Sequence, residues 1–159
     1  MEIEIRKAQD SDVPALTDLL RSLGFFARIS AEPVESTRER LLAHLALAAA
    51  DDSHTILVAE TPEGEIAGYC AAHWLPYLIL SGPEGYVSEL FVREQFRGQG
   101  IGGQLLESVK AEAQKRGCSR LMLLNLRKRE SYQRRFYQKQ GWEERPEMAN
   151  FVLPLDHVK

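Results

Sequence analysis

The chain has 159 residues, of which 44% are hydrophobic and 27% charged, with a formal net charge of -3 and a pI near 5.8. That length suits one domain over residues 1–159 with its own core, and the acidic balance excludes the basic excess of a nucleic-acid binder. Two cysteines, Cys70 and Cys118, are too few for a disulfide framework or zinc site, so the expected setting is cytoplasmic, with reduced thiols.

The opening MEIEIRKAQD alternates acidic and apolar residues, so it reads as a short strand around Ile3 and Ile5 and not as a signal peptide. Ser11 or Asp12 can cap a helix with Pro14 in its first turn. Val13, Leu16, Leu19, Leu20 and Leu23 follow at helical spacing, and Gly24 stops them. Phe25 to Pro33 reads as a loop. A second helix runs from about Val34 to Ala50, with Leu41, Leu42, Leu45 and Ala49 on one side. Its apolar patch is broken by His44 and is far shorter than the ~20 residues that span a bilayer, so no membrane is expected.

The period then shifts to two. Thr55–Glu60 and Glu65–Trp74 form a hairpin across Thr61–Gly64, and Pro76–Gly85 is a loop with the apolar tip Tyr77–Leu80. Tyr86–Val92 is the next strand. Ile101, Leu105, Val109 and Ala113 repeat every four residues up to Gly117, which predicts an amphipathic helix from Ile101 to Arg116. Ser119–Leu126 is a strand, Ser131–Gln140 a short helix, and Trp142–Glu144 and Met148–Leu155 can supply two last strands. The order β-α-α-β-β-β-α-β-α-β-β predicts an α+β fold with a mixed sheet of six to seven strands.

Between the strand and the amphipathic helix lies FRGQGIGGQLL, with Gly98, Gly100, Gly102 and Gly103. Gly98-x-Gly100-x-x-Gly103 matches a dinucleotide fingerprint. That reading needs a partner unit downstream and an acidic residue about 20 positions on, where Leu124-Asn125-Leu126-Arg127 stands instead. No Gly-Lys-Ser/Thr follows, which excludes a P-loop. Arg97-x-x-Gly100-x-Gly102 reads as a pyrophosphate cradle: amides at a turn and a helix start converge on an anion, and Arg97 adds a guanidinium. A glycine-rich turn that only tightens a strand–helix junction is the plain alternative.

The run VSELFVREQFRGQGIGGQLL followed by RRFYQKQGW resembles the GNAT superfamily of acyl-CoA-dependent N-acyltransferases, and the element order extends the resemblance over nearly the whole chain. The resemblance implies a GNAT-like sheet, acetyl-CoA as co-substrate, no metal, and transfer of an acetyl group to a primary amine of a small molecule or peptide. It places Arg97, Gly98, Gln99, Gly100, Ile101, Gly102 and Gly103 on the coenzyme's pyrophosphate. Leu90, Phe91 and Val92 would splay from their parallel neighbour at about Leu123–Asn125 and bind the pantetheine arm in the gap, with an amide near Val92 facing the thioester carbonyl. Tyr137 would protonate the leaving thiolate. Seven residues before it, where the family often has asparagine, this chain has Glu130, and Asn125 lies too early to take that place.

Strict alternation puts Tyr86, Ser88, Leu90 and Val92 on one strand face and Val87, Glu89 and Phe91 on the other. A carboxylate in an interior strand must be paired or face a wet cleft. Glu89 therefore reads either as a buried salt-bridge partner or as the base that draws the amine's proton, with partial burial raising its pKa. Arg127, Lys128, Arg129, Arg134 and Arg135 read as a solvated basic face or as a contact to the adenosine 3′-phosphate. The cysteines read as structural, and His44, His54, His73 and His157 show no ligand spacing.

Family members admit the acceptor past the loops that correspond here to Phe25–Ala31 and Trp74–Leu80. Their aromatic and aliphatic residues suit an aryl or alkyl amine or a peptide terminus, although core packing or a homodimer contact would use them equally. A polycation would want more acids, for which Glu32, Glu35, Glu84 and Glu89 are candidates. A non-catalytic acyl-CoA-binding regulatory module on the same fold is the alternative function.

Overall fold

The computed structural model describes residues 1–155. Strands β1 (Glu4–Lys7), β2 (His54–Glu60), β3 (Ile66–Leu75), β4 (Glu84–Val92) and β5 (Arg120–Leu123) form one sheet in sequence order. The first three junctions are antiparallel and β4–β5 is parallel. Helices α1 (Val13–Ser22), α2 (Ala27–Ala31), α3 (Val34–Ala50) and α4 (Ile101–Lys115) complete the first of two units, which ends at Leu124. The second, from Asn125 on, holds α5 (Glu130–Gln133) and α6 (Phe136–Lys139).

Each sheet face is covered by helices whose apolar stripes match it. Leu16, Leu19 and Leu20 of α1 bury against Val58 and Tyr69, with Leu41 and Phe91 packed alongside. On the opposite face α4 packs on β2, β3 and β4, burying the predicted stripe Ile101, Leu105, Val109 and Ala113. Gly102 and Gly103 weaken the start of α4 by about 1 kcal/mol each relative to alanine. Burying Ile101, Leu105 and Val109 returns about 2 kcal/mol apiece, so tertiary packing holds the helix where propensity would not.

The sheet has five strands among the described residues, not six to seven. Trp142–Glu144 and Met148–Leu155 join no ladder, and Phe151, Val152 and Leu153 are exposed. Strand-like composition makes a strand only where a neighbour completes its hydrogen bonds, and Pro146 and Pro154 have no N–H to offer. The predicted helix Ser131–Gln140 is split into α5 and α6 by Arg135, which adopts a left-handed φ of 56°. The loop Phe25–Pro33 contains the short α2.

Asp12 ties β1 to the start of α1. Its carboxylate accepts two hydrogen bonds of 2.8 Å from the Arg6 guanidinium and one of 2.7 Å from the Gln9 amide. The Arg6 hydrogen bonds hold the Asp12 carboxyl below its usual range despite its burial. A carboxyl so lowered stabilises the fold above its unfolded pKa near ~4 and loses that contribution as pH falls through its folded value. Asp12→Asn should therefore cost about 2 kcal/mol at pH 7. Urea midpoints of variant and parent should converge as the pH falls from about 4 through the lower folded value; a gap that persists below that value would assign the effect to shape and not to charge.

Candidate active site

β4 carries the site because its hydrogen bonding changes partway along. Its parallel ladder with β5 runs from Glu84↔Arg120 to Val87↔Leu123 and stops. At the same point the pairing with β3 slips: Ala72 faces Val87, but Ala71 faces Glu89, leaving Ser88 as the extra residue of a bulge. Strict alternation past this point is therefore wrong. Tyr86, Glu89 and Phe91 share one face with His73, Ala71 and Tyr69, while Val87, Leu90 and Val92 share the other.

Among the described residues no strand pairs with the second edge of β4 beyond Val87. The Arg93 amide donates to Ala67 O at 2.8 Å, so by alternation the N–H and C=O of Val92 and Leu90 point away from β3 toward that edge. The chain then passes a 3-10 turn, Glu94–Phe96, into the glycines. Gly98 and Gly100 take left-handed φ values of 77° and 80°, and space is open where a Cβ would stand. Gly102 and Gly103 instead lie in the first turn of α4. Among the described residues, the amides of Gly98, Gln99, Gly100, Ile101, Gly102 and Gly103 donate to no protein acceptor; the first bond into the turn is Gln104 N–H to Gly100 O at 3.0 Å. A run of open amides at the positive end of a 15-residue helix is a site for an anion. Arg97 stands beside it, with Nε donating to Val92 O at 3.1 Å.

The other face of β4 looks into a cavity of about 290 Å³. Its floor is a row across the sheet, Glu89↔Ala71↔Ile56, spanning about 10 Å at the usual strand spacing. Leu16, Ile29, Leu41 and Leu45 of the three helices wall it. Glu89 is exposed, so the expected partial burial is absent, and among the described residues no arginine or lysine pairs with it. Its Oε1 accepts from the Tyr69 hydroxyl at 3.0 Å. Burial, then the charge of Glu89, push the Tyr69 pKa far above its ordinary value, so Tyr69 remains a donor.

Histidines assembled by pairing complete the cavity. His54 and His73 are direct cross-strand partners and stack with centroids 5.4 Å apart. His73 Nε2 lies 2.9 Å from Ser88 Oγ on the bulge, and burial, with His54 adding to it, lowers the His73 pKa. His44 lines the same cavity from α3. Sequence reading gave these histidines no role, because their spacing carries no motif; the signal lay in the hairpin register alone.

Other expected features fall elsewhere. Phe26 lines the cavity, but Trp74 is buried, with its indole N–H on Thr55 Oγ1 at 3.1 Å and the Arg116 guanidinium 4.8 Å over its ring. Tyr77, Leu78 and Ile79 are exposed. Glu84 is buried in an ion pair with Arg120, and Glu32 is held by Arg40 and Thr37, which pull its pKa down to about 2. Burial pushes the Cys70 thiol up to about 12, which keeps it protonated. Among the described residues no three His, Cys, Asp or Glu side chains could hold a metal ion, and no helix is long and apolar enough to cross a membrane.

In the second unit, Asn125 Oδ1 accepts from Ser131 Oγ at 3.1 Å. Tyr137 is half-buried, edge-on to Phe136 at 5.0 Å and to Trp142 at 6.2 Å. Its carbonyl receives the Trp142 amide at 3.0 Å, so the Gly141-Trp142 turn fixes the helix that bears it. Within the basic cluster, Arg127 pairs with Glu144 at 3.1 Å and Arg134 lies 5.1 Å over the Phe136 ring.

The model of the Acetyltransferase (GNAT) family matches residues 14–142. Thialysine N-epsilon-acetyltransferase of Bos taurus is 30% identical over 127 residues, which cover 76% of this chain and 73% of that protein. A transcriptional regulator from Bacillus halodurans has a TM-score of 0.79 at 22% identity, over 97% of this chain and 100% of the other. AAC(6')-Iy, solved with the bisubstrate analogue CoA-S-monomethyl-acetylneamine, has a TM-score of 0.75 at 18% identity, over 98% and 100%. At such identities the two structures speak for the fold alone. The strand that changes partners, the open amides after it and the match over residues 14–142 agree: this chain belongs to the GNAT acetyltransferase family and is an acyltransferase.

Proposed function

We propose that this protein, acting as one N-acetyltransferase domain in the reducing cytoplasm, moves the acetyl group of acetyl-CoA to a primary amine of a small molecule or peptide. Transfer is by direct attack in a ternary complex. The observation that supports this reading is the placement of two unlike features on one strand. β4 presents Glu89 to the cavity on one face and, within three residues, the outward-turned groups of Leu90 and Val92 on its open edge.

The amides from Gly98 to Gly103, with Arg97, receive the coenzyme's pyrophosphate, and Leu90, Phe91, Val92 and Asn125 take the pantetheine arm. In the cavity the ammonium group of the acceptor, with a free pKa near ~10, must lose a proton before it can attack. Glu89 accepts that proton through water, and the Tyr69 hydroxyl holds its carboxylate in place. The amine lone pair then forms a bond to the thioester carbonyl carbon. Charge that gathers on the carbonyl oxygen is met by the Val92 amide. When the carbon–sulfur bond breaks, the electron pair leaves on the thiolate, and the Tyr137 phenol supplies its proton.

Three variants test these roles. Gly100→Val forces a branched residue into a left-handed turn and fills the open space above the amides. Its affinity for CoA, measured by calorimetry on protein shown to be folded by circular dichroism, should fall at least about tenfold; unchanged affinity would remove the cradle. Tyr137→Phe should lower kcat about 10²-fold and leave the KM for acetyl-CoA within about threefold. Wild-type turnover would take Tyr137 out of the acid role. In Glu89→Gln the pH profile of kcat/KM should move to alkaline pH, toward the amine's own pKa, because deprotonation then falls to solvent. A superimposable profile would mean that another group takes the proton.

A further inference from the structure

We infer that the acceptor cavity is a charge sieve: it admits amines that carry one positive charge on an apolar body and rejects diamines and polyamines. This rests on the acyl-transfer reading and names the substrate class of that site.

The charges around the cavity support it. Glu89 is the only carboxylate among its lining residues. Its other polar members are Arg40, His44, the stacked pair His54 and His73, and the Tyr69 hydroxyl. Tyr69 is already turned to Glu89. Arg40 is a permanent cation, and its partner Glu32 does not line the cavity and is engaged by Arg40 and Thr37. Imidazoles offer no negative charge. One ammonium can therefore be balanced, at Glu89. A second, carried elsewhere in the cavity, would meet Leu16, Leu41, Leu45 and Ile56, the imidazoles, or Arg40, whose own counter-ion is already engaged. It would lose its hydration without gaining a counter-ion, and an uncompensated charge in such a place is strongly disfavoured. The remaining acids expected near the acceptor are engaged elsewhere, as with Glu84 on Arg120.

Hexylamine and 1,5-diaminopentane isolate this effect, because they have the same length and differ by a terminal methyl against an ammonium. With acetyl-CoA and the full chain, kcat/KM should favour hexylamine at least about 30-fold, which is about 2 kcal/mol at 1.4 kcal/mol per factor of ten. His44→Glu, an exposed position on α3 that lines the cavity, should shrink that ratio about tenfold by supplying the missing counter-charge. Equal kcat/KM for the two amines, or a ratio unmoved by His44→Glu, overturns the sieve. Calorimetry of both amines with CoA-loaded protein separates the sieve from the acyl-transfer reading. The same preference in binding without turnover upholds the sieve and counts against acyl transfer, while equal binding, or none, overturns the sieve.

Discussion

The extra residue in β4 is the constraint from which both halves of the site follow. In an antiparallel pair a shift of one position turns every later side chain to the opposite face. Without the bulge at Ser88, Glu89 would pair with Cys70 and point to the face that α4 covers. With it, Glu89 pairs with Ala71 and looks into the cavity beneath α1 and α3. The parallel ladder to β5 ends at Val87, where the added twist of a bulge carries the strand away from its neighbour. A carboxylate on one side and a main-chain edge that leaves its ladder on the other are two results of one irregularity.

The open amides before α4 depend on a different arrangement. Helix starts leave N–H groups without intrahelical partners, and most proteins cap them with a side chain. Here Gly100 caps α4 with backbone alone, and no side-chain bond closes the turn. The left-handed conformations of Gly98 and Gly100 keep the amides facing outward. Stability for that open end comes from elsewhere in α4, through its buried stripe.

The chemistry of the cavity is set by where charges are already spent. The chain carries 23 acidic residues, yet among the described ones Glu89 alone lines the cavity. Glu84 is taken by Arg120, Asp12 by Arg6 and Glu32 by Arg40. Composition counts charges, whereas recognition depends on those left over once ion pairs have formed. The His54–His73 stack belongs to the same logic, since it joins residues of two strands that only the hairpin brings side by side.

The sequence alone determined the features written in local spacing. The four-residue period of Ile101, Leu105, Val109 and Ala113 reports α4, and the glycine run reports the turn of open amides before it. The match around Phe136-Tyr137 adds the family. These were legible because backbone conformation and helix periodicity act over a few neighbouring residues. Tertiary structure decided which face of β4 carries Glu89, the meeting of His44, His54 and His73, the burial of Trp74 away from the cavity, and the absence of ladders at Trp142–Glu144 and Met148–Leu155. Each of these depends on a partner distant in the chain: a strand needs a neighbour to exist, and its register, set by that neighbour, decides where every side chain points.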